Sequence, residues 1–383
     1  MAEYTLIATT SFGIESVVAY ELKKLGYGSM IVENGKVVFK GEESAIIRCN
    51  IWLRAADRVL IKIAEFEARD FEELFQGTLH TEWENIIPVN GRIHVVGKSI
   101  GSQLSSVSDC QSIVKKAIIE AMKRKYPIQR FEETGSVYKI EVSLLKNKAT
   151  LTIDTTGAGL HKRGYRTGTS EAPLRETLAA GLVLLSRWTP ERVLADPFCG
   201  SGTIPIEAAL IGKNIAPGLK RAFVSEAWGQ IPKSLWDKAR REALAQINDK
   251  TFRILSSDND GNVLKKAKEN AVRAGVDDYI AFQKIQAGEF RSHKKYGCII
   301  TNPPYGERMG GAEKVEEAYK SMDKMFSRLD SWSLFVLSGH PHFQMLFGKH
   351  ADKNRKLYNG DIKCYYYQYL VPAIKKTKKD ETD

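Results

Sequence analysis

The chain has 383 residues, 43% of them hydrophobic and 27% charged, which allows two or three cored domains and excludes a wholly disordered protein. Its 57 Lys and Arg against 46 Asp and Glu leave a formal net charge of +11, the sign that collects polyanions through phosphate neutralisation. No stretch approaches the roughly 18 uncharged apolar residues of a membrane span, and the leading MAEYTLIATTSFG has neither a basic lead nor a signal-like apolar core, so the expected location is the cytoplasm with no membrane partner.

The first segment alternates as strand YTLIATT, amphipathic helix IESVVAYELKKLGY and strand KVVFKG, the last after the turn signal Glu33-Asn34-Gly35. More helix and strand follow through IIRCNIWLRAADRVLIKIAEF. A second unit, from about Asp70 to Asp154, carries a helix at FEELFQGTL, a strand at GRIHVVGKS, a long helix at DCQSIVKKAIIEAMKRKYP and paired strands VYKIEVSLLKN and KATLTIDTT. Both units are small α+β layers. TGAGLHKRGYRTGTSEAP, rich in Gly, Thr and basic residues and without a sustained period, is a linker.

A helix then begins near Pro173, which suits a first turn. The order beyond it is strand VLADPF, helix TIPIEAALIG, an irregular insertion to about Asp249, strand FRILSSD, helix NVLKKAKENAVRAG, strands IAFQKIQ and CIITNPP, helix VEEAYKSMDKMFSRL and strand SLFVLSG. Strands alternating with helices predict an α/β fold with a parallel, doubly wound sheet. KNRKLYNG and IKCYYYQYLV, joined at Asn359-Gly360-Asp361, add an antiparallel hairpin, and the tail KKTKKDETD is expected to be disordered.

In such a sheet the ligand sits beyond the carboxyl ends of the strands. After Leu194-Ala195, Asp196-Pro197-Phe198-Cys199-Gly200-Ser201-Gly202 forms a tight glycine turn opening a helix, where a ligand can approach the main chain. A nicotinamide-binding loop is the competing reading. Against it, the third glycine of G-x-G-x-x-G falls on Pro205, and Asp196 would repel a pyrophosphate. The same carboxylate suits a cationic ligand such as S-adenosylmethionine. Asp258, ending the next strand, is placed to accept hydrogen bonds from ribose hydroxyls, while Asp260 fits a helix cap better. Gln286, at the third strand end, is placed to pair with an adenine edge.

At 301–306 the sequence reads TNPPYG directly after the apolar Cys298-Ile299-Ile300. Pro303 and Pro304 lack N–H donors and hold their predecessors extended, so a strand ends there with rigid carbonyls. An exocyclic amine on a nucleobase is a poor nucleophile because its lone pair is delocalised into the ring. If the Asn302 side-chain oxygen and the Pro303 carbonyl accept its two N–H bonds, the nitrogen becomes more pyramidal and its lone pair can address a methyl group. Tyr305 is expected to stack on the extruded base, and Arg308 to hold a phosphate.

The run ADPFCGSGTIPIEAALIGKNIAPG, the motif TNPPYGER, the insertion IAPGLKRAFVSEAW and the linker HKRGYR together resemble the THUMP-domain RNA guanine-N2 methyltransferases of the bacterial 23S ribosomal RNA type. The resemblance covers nearly the whole chain. It implies a ferredoxin-like domain at 1–60, a THUMP RNA-binding domain at 61–155, a linker at 156–172 and a Rossmann-like methyltransferase domain at 173–383. It implies S-adenosylmethionine as donor at Asp196, Gly200, Gly202 and Asp258, with Thr177 on the bordering helix, and the target amine at Asn302 through Tyr305.

Structured RNA is the implied partner. Lys115 and Lys116, beside Lys123-Arg124-Lys125 on one helix, and His161, Lys162, Arg163 and Arg166 in the linker are expected to track phosphates. The five cysteines (Cys49, Cys110, Cys199, Cys298, Cys364) are scattered and never spaced C-x-x-C, and His340-Pro341-His342 lacks a third ligand, so neither disulfides nor a metal are expected. Three readings follow: guanine-N2 methylation of 23S ribosomal RNA, the same chemistry on transfer RNA, and a catalytically silent RNA-binding assembly factor.

Overall fold

The computed structural model describes residues 3–166, 174–305 and 312–371, so Pro173, Arg308 and the basic tail lie outside the described residues. In chain order the elements are β1 (Tyr4–Thr9), α1 (Glu15–Lys24), β2 (Met30–Glu33), β3 (Lys36–Gly41), α2 (Glu43–Trp52), β4 (Arg58–Glu67), α3 (Phe71–Leu79), α4 (Trp83–Ile86), β5 (Arg92–Ile100), α5 (Val107–Met122), β6 (Val137–Leu145) and β7 (Lys148–Asp154). There follow α6 (Glu176–Leu185), β8 (Leu194–Asp196), α7 (Thr203–Gly212), α8 (Lys233–Ala245), β9 (Ile254–Asp258), α9 (Gly261–Ala274), β10 (Ile280–Lys284), β11 (Cys298–Thr301), α10 (Ala312–Phe326), β12 (Ser333–Ser338), α11 (Phe343–Phe347), β13 (Lys353–Asn359) and β14 (Ile362–Tyr369).

Two compact units form, one from 1–163 with 216–246, the other from 164–215 with 247–383. The first holds one seven-stranded sheet of order β2-β3-β1-β4-β7-β6-β5. The expected boundary between residues 60 and 61 falls inside β4. That strand pairs with β1 as far as Ile61, passes a register shift between Lys62 and Ala64, and continues along β7 to Glu67. β4 thus lies inside one continuous sheet with β1 on one edge and β7 on the other, Leu60 and Ile61 pairing on both, and the register shift is a bulge on the β7 side.

The segment 216–246, which the sequence places inside the methyltransferase half, packs with the first unit. Trp228 stacks on Tyr138 at 5.0 Å, Trp236 is fully buried against Phe223, and the Gly218 amide donates to the Ile51 carbonyl at 2.9 Å. Aromatic burial dominates the energetics of such a patch, and the sequence order says nothing of which surface receives it.

The second unit contains a seven-stranded sheet of order β10-β9-β8-β11-β12-β14-β13. Its five strands from β10 to β12 run parallel and the β13–β14 hairpin is antiparallel, the Rossmann-like arrangement with the added hairpin that the alternation predicts. Local chemistry agrees with each element. In α9, Asp260 caps the helix by accepting from the Asn262 amide at 2.8 Å, and Gly275 ends it at φ +74°. β11 is buried on both faces, as a central parallel strand must be, and stops at Asn302-Pro303-Pro304. Around it Ile299, Trp332, Leu334, Val336, Phe343 and Tyr367 form the core.

Gly297 leads into β11 beneath Trp332, and a Cβ there would stand 2.3 Å from the indole. Gly297→Ala is therefore expected to destabilise by about 1–3 kcal/mol through overpacking. A melting temperature within a degree of wild type would contradict this account.

Candidate active site

From β8 the chain winds outward through β9 and β10, then crosses back so that β11 pairs with the other side of β8. At such a switch point a crevice opens outside the carboxyl ends of the strands. Asp196 closes β8, Asp258 closes β9 and Asn302 follows β11, so three of the sequence-selected residues border that position.

Asp196 is 1% exposed. Burial, with the Asp258 charge adding to it, pushes its carboxyl up to about 7. Its Oδ1 accepts from the Thr301 hydroxyl at 2.7 Å and the Phe198 amide at 3.2 Å. Asp258 shapes the glycine turn itself, because its Oδ2 accepts from the Gly200 amide at 3.0 Å and its Oδ1 from the Asp260 amide at 3.0 Å. A carboxylate has further lone pairs, so these bonds leave room for a ribose hydroxyl.

The two glycines differ. Gly200, at φ +53°, has open space where a Cβ would stand. Gly202, at φ +84°, would place a Cβ 3.1 Å from that of Ala267, so its missing side chain serves the packing of α7 on α9. The cradle suited to a ligand is thus at Gly200. Gln286 is exposed just beyond β10, where its backbone N–H donates to Glu289 Oε2 at 3.3 Å in a short capping turn. Thr177 is buried in the first turn of α6.

Asn302 is half-buried, and its Oδ1 is buried without a hydrogen-bond partner among the described residues. The Pro304 carbonyl accepts from the Tyr319 hydroxyl at 3.5 Å, and that hydroxyl also pairs with Ser338 Oγ at 3.0 Å. Burial pushes the Tyr319 phenol up to about 12, so it stays protonated and able to donate. Neither Tyr319 nor Thr301 is among the residues the sequence selects. A hydroxyl residue closing an apolar strand next to Asn302 is the available signal for Thr301; Tyr319 leaves none, as one aromatic on an apolar helix face.

Tyr305 departs from expectation. Its ring is 5% exposed and packs against Gly339, and its hydroxyl accepts from Asn359 Nδ2 at 3.0 Å. Stacking requires an exposed ring face, so in this conformation Tyr305 is a wall of the site fastened to the hairpin, not a platform for a base. Two linker arginines are also corrected. Arg163 is buried and donates to the Leu160 carbonyl at 2.5 Å and to the Arg54 carbonyl. Arg166 donates to the Leu174 carbonyl at 2.8 Å and to Thr203 at the start of α7, beside Glu176 at 3.4 Å. Both guanidiniums brace backbone and carboxylate instead of facing phosphates.

Lys162 is exposed and His161 lies half-buried over Gly159. On α5, Lys115 pairs with Glu133 at 2.7 Å and Lys116 lies over the Phe75 ring at 5.7 Å. Past its end, Arg124 ties to Glu84 and to the Leu79 and Thr81 carbonyls. All five cysteines are free and buried, and no metal-holding cluster occurs among the described residues. No helix among them is long and apolar enough to cross a membrane.

A doubly wound sheet with a carboxylate-lined glycine turn and an Asn-Pro-Pro-Tyr strand end defines an S-adenosylmethionine-dependent methyltransferase. The model of the RMKL-like methyltransferase domain matches residues 163–368, that of the RlmL ferredoxin-like domain 5–60, and that of the THUMP domain 68–154. The chain belongs to the RMKL-like methyltransferase family. YpsC of Bacillus subtilis (strain 168), named for an inferred RNA methyltransferase activity, is 51% identical over 100% of both chains. Ribosomal RNA large subunit methyltransferase K/L of Photobacterium profundum is 36% identical over 98% of this chain, which spans only 54% of that longer protein. SMU.472, assigned as a methyltransferase and crystallised with S-adenosylhomocysteine, superimposes with a TM-score of 0.93 at 42% identity, covering 98% of this chain and 100% of that one.

The raised Asp196 value gives a pH signature. Between the ordinary 3.8 and about 7 the free protein prefers the proton, so its stability falls as pH rises through that window. A cationic donor favours the ionised form and releases the proton on binding. Donor affinity is expected to drop on the order of tenfold per pH unit below 7 and to level off above it. Calorimetry in buffers of different ionisation enthalpy reads the released proton, and affinity independent of pH would contradict the assignment.

Proposed function

We propose that the protein methylates the exocyclic N2 of guanine in RNA, with 23S ribosomal RNA as the substrate. The observation that carries the reading is the buried Oδ1 of Asn302, which has no partner among the described residues and stands beside the Pro303 carbonyl at the switch point. A buried polar atom without a partner carries a penalty of about 1–3 kcal/mol, which an amine donor would remove. The RNA methyltransferase names of the relatives and the THUMP match support RNA as the polymer.

S-adenosylmethionine supplies, when bound, an electrophilic methyl group on a sulfonium. Asp258 and the open Gly200 turn are suited to hold its ribose and its chain, and Asp196 balances its positive charge. Asn302 Oδ1 and the Pro303 carbonyl grip the two amine hydrogens and turn the nitrogen lone pair toward the methyl. Tyr319 holds the Pro304 carbonyl, so the acceptor geometry is set before the base arrives. Positioning supplies most of the acceleration. No strong base is required, because the amine becomes acidic once methylated and can lose its proton afterward.

Asn302→Ala is expected to reduce methyl transfer by about 10²–10³-fold, the loss seen when one fixed hydrogen-bonding group of an active site is removed, while donor affinity stays near wild type. Near-wild-type turnover would contradict the role. Nucleoside mass spectrometry of ribosomal and transfer RNA from cells lacking the protein identifies the product: loss of N2-methylguanosine from 23S RNA is expected. Its loss from transfer RNA instead would move the substrate, and loss of a methyladenosine would change the base.

A further inference from the structure

In β14 the side chains of residues 363, 365, 367 and 369 share one face, and register places Asn354, Lys356 and Tyr358 of β13 on the same face. Its inner half is covered. Tyr367 stacks on Phe343 at 4.7 Å, Tyr369 meets Phe347 at 5.1 Å, and both are buried under α11. Beyond the helix the face opens: Tyr358 and Tyr365 are half-buried, Lys356 and Lys363 exposed. The four form a checkerboard, with Lys356 opposite Tyr365 and Tyr358 opposite Lys363. Lys356 Nζ lies 5.5 Å from the Tyr358 ring and Lys363 Nζ 5.6 Å from the Tyr365 ring.

The opposite face, with Leu357, Asn359, Cys364 and Tyr366 buried, already fastens the hairpin to the sheet. Its tip also adjoins the site, since Asn359 holds the Tyr305 hydroxyl. We propose that the open face of the β13–β14 hairpin is a stacking surface for the unpaired RNA strand next to the target nucleotide, an assignment that rests on the RNA activity proposed above. Aromatic faces interleaved with ammonium groups match the alternation of bases and phosphates in a single strand. A duplex would hide its base faces from the tyrosines. The two charged residues that the strands place on this face, Lys356 and Lys363, are both cationic, and the Asp352 carboxylate just before β13 already accepts from the Leu370 amide at 2.6 Å.

The test uses the full chain, tritiated S-adenosylmethionine and 23S RNA from cells lacking the protein. Tyr358→Leu keeps apolar bulk but removes the ring, and is expected to raise KM for RNA about tenfold, equivalent to ~1.4 kcal/mol. The paired change Lys356→Gln with Lys363→Gln is expected to lower the salt slope of RNA binding by about 1.4, two phosphates at ~0.7 each. Donor affinity and melting temperature should stay at wild-type values; a fall in either would mark a merely structural role and overturn the assignment. Wild-type KM and salt slope in both variants would overturn it too, as would an equal loss on a fully paired RNA of the same length. Failure of the wild-type chain to methylate this RNA would overturn the parent reading, and this one with it.

Discussion

The hydrogen bond from the Thr301 hydroxyl to Asp196 Oδ1, at 2.7 Å between two buried side chains, joins the ends of β11 and β8, the two strands that flank the switch point. The ladder between β8 and β11 spans only Leu194–Cys298 and Ala195–Ile299. Beyond it the chains part, one into the glycine turn and the other into Asn302-Pro303-Pro304. At that fork a side-chain bond replaces the missing backbone bonds. In a low-dielectric interior it is stronger than in water, and leaving the carboxyl without it would be costly. The glycine turn and the Asn-Pro-Pro strand end therefore keep a fixed separation.

Rigidity on the acceptor side has a different origin. Two consecutive prolines restrict the backbone without needing partners, and Tyr319 then takes the Pro304 carbonyl while Ser338, at the end of the neighbouring strand, takes the same hydroxyl. Tyr305 completes the frame through Asn359. Strand end, helix and hairpin thus converge on one short loop, and the atom they leave without a partner among the described residues is the Asn302 oxygen. A buried acceptor left open on a rigid backbone is the kind of atom that a preorganised site uses, and Ser256 and Ser257 Oγ at the end of β9 are also without partners among the described residues.

Much of this is legible in the sequence because local chemistry and fold agree. The β/α alternation, the Asp260 cap, the glycine turn and the hairpin at Asn359-Gly360-Asp361 are each dictated by near neighbours. What escapes is non-local. β4 joins the strands of both expected domains into one sheet with no turn residue to divide it, and 216–246 binds the first unit through Trp228, whose stacking partner Tyr138 lies far away in the chain. Tyr305 departs from its expected role for the same reason, since Gly339 and Asn359 make its slot from remote positions.

Basic residues pose the sharpest case, because a cluster looks the same whether its groups face phosphates or carbonyls. Magnitudes separate the two. Lys115 and Glu133 are both partly exposed, and such a pair is worth about 0–1 kcal/mol, so a phosphate can replace Glu133 with little loss. Arg163 is buried against the Arg54 and Leu160 carbonyls. Withdrawing it would leave two acceptors unsatisfied, at roughly 1–3 kcal/mol each, more than one phosphate contact in water returns. Lys356 and Lys363 of the hairpin, exposed and resting on ring faces, stand nearer the first case than the second.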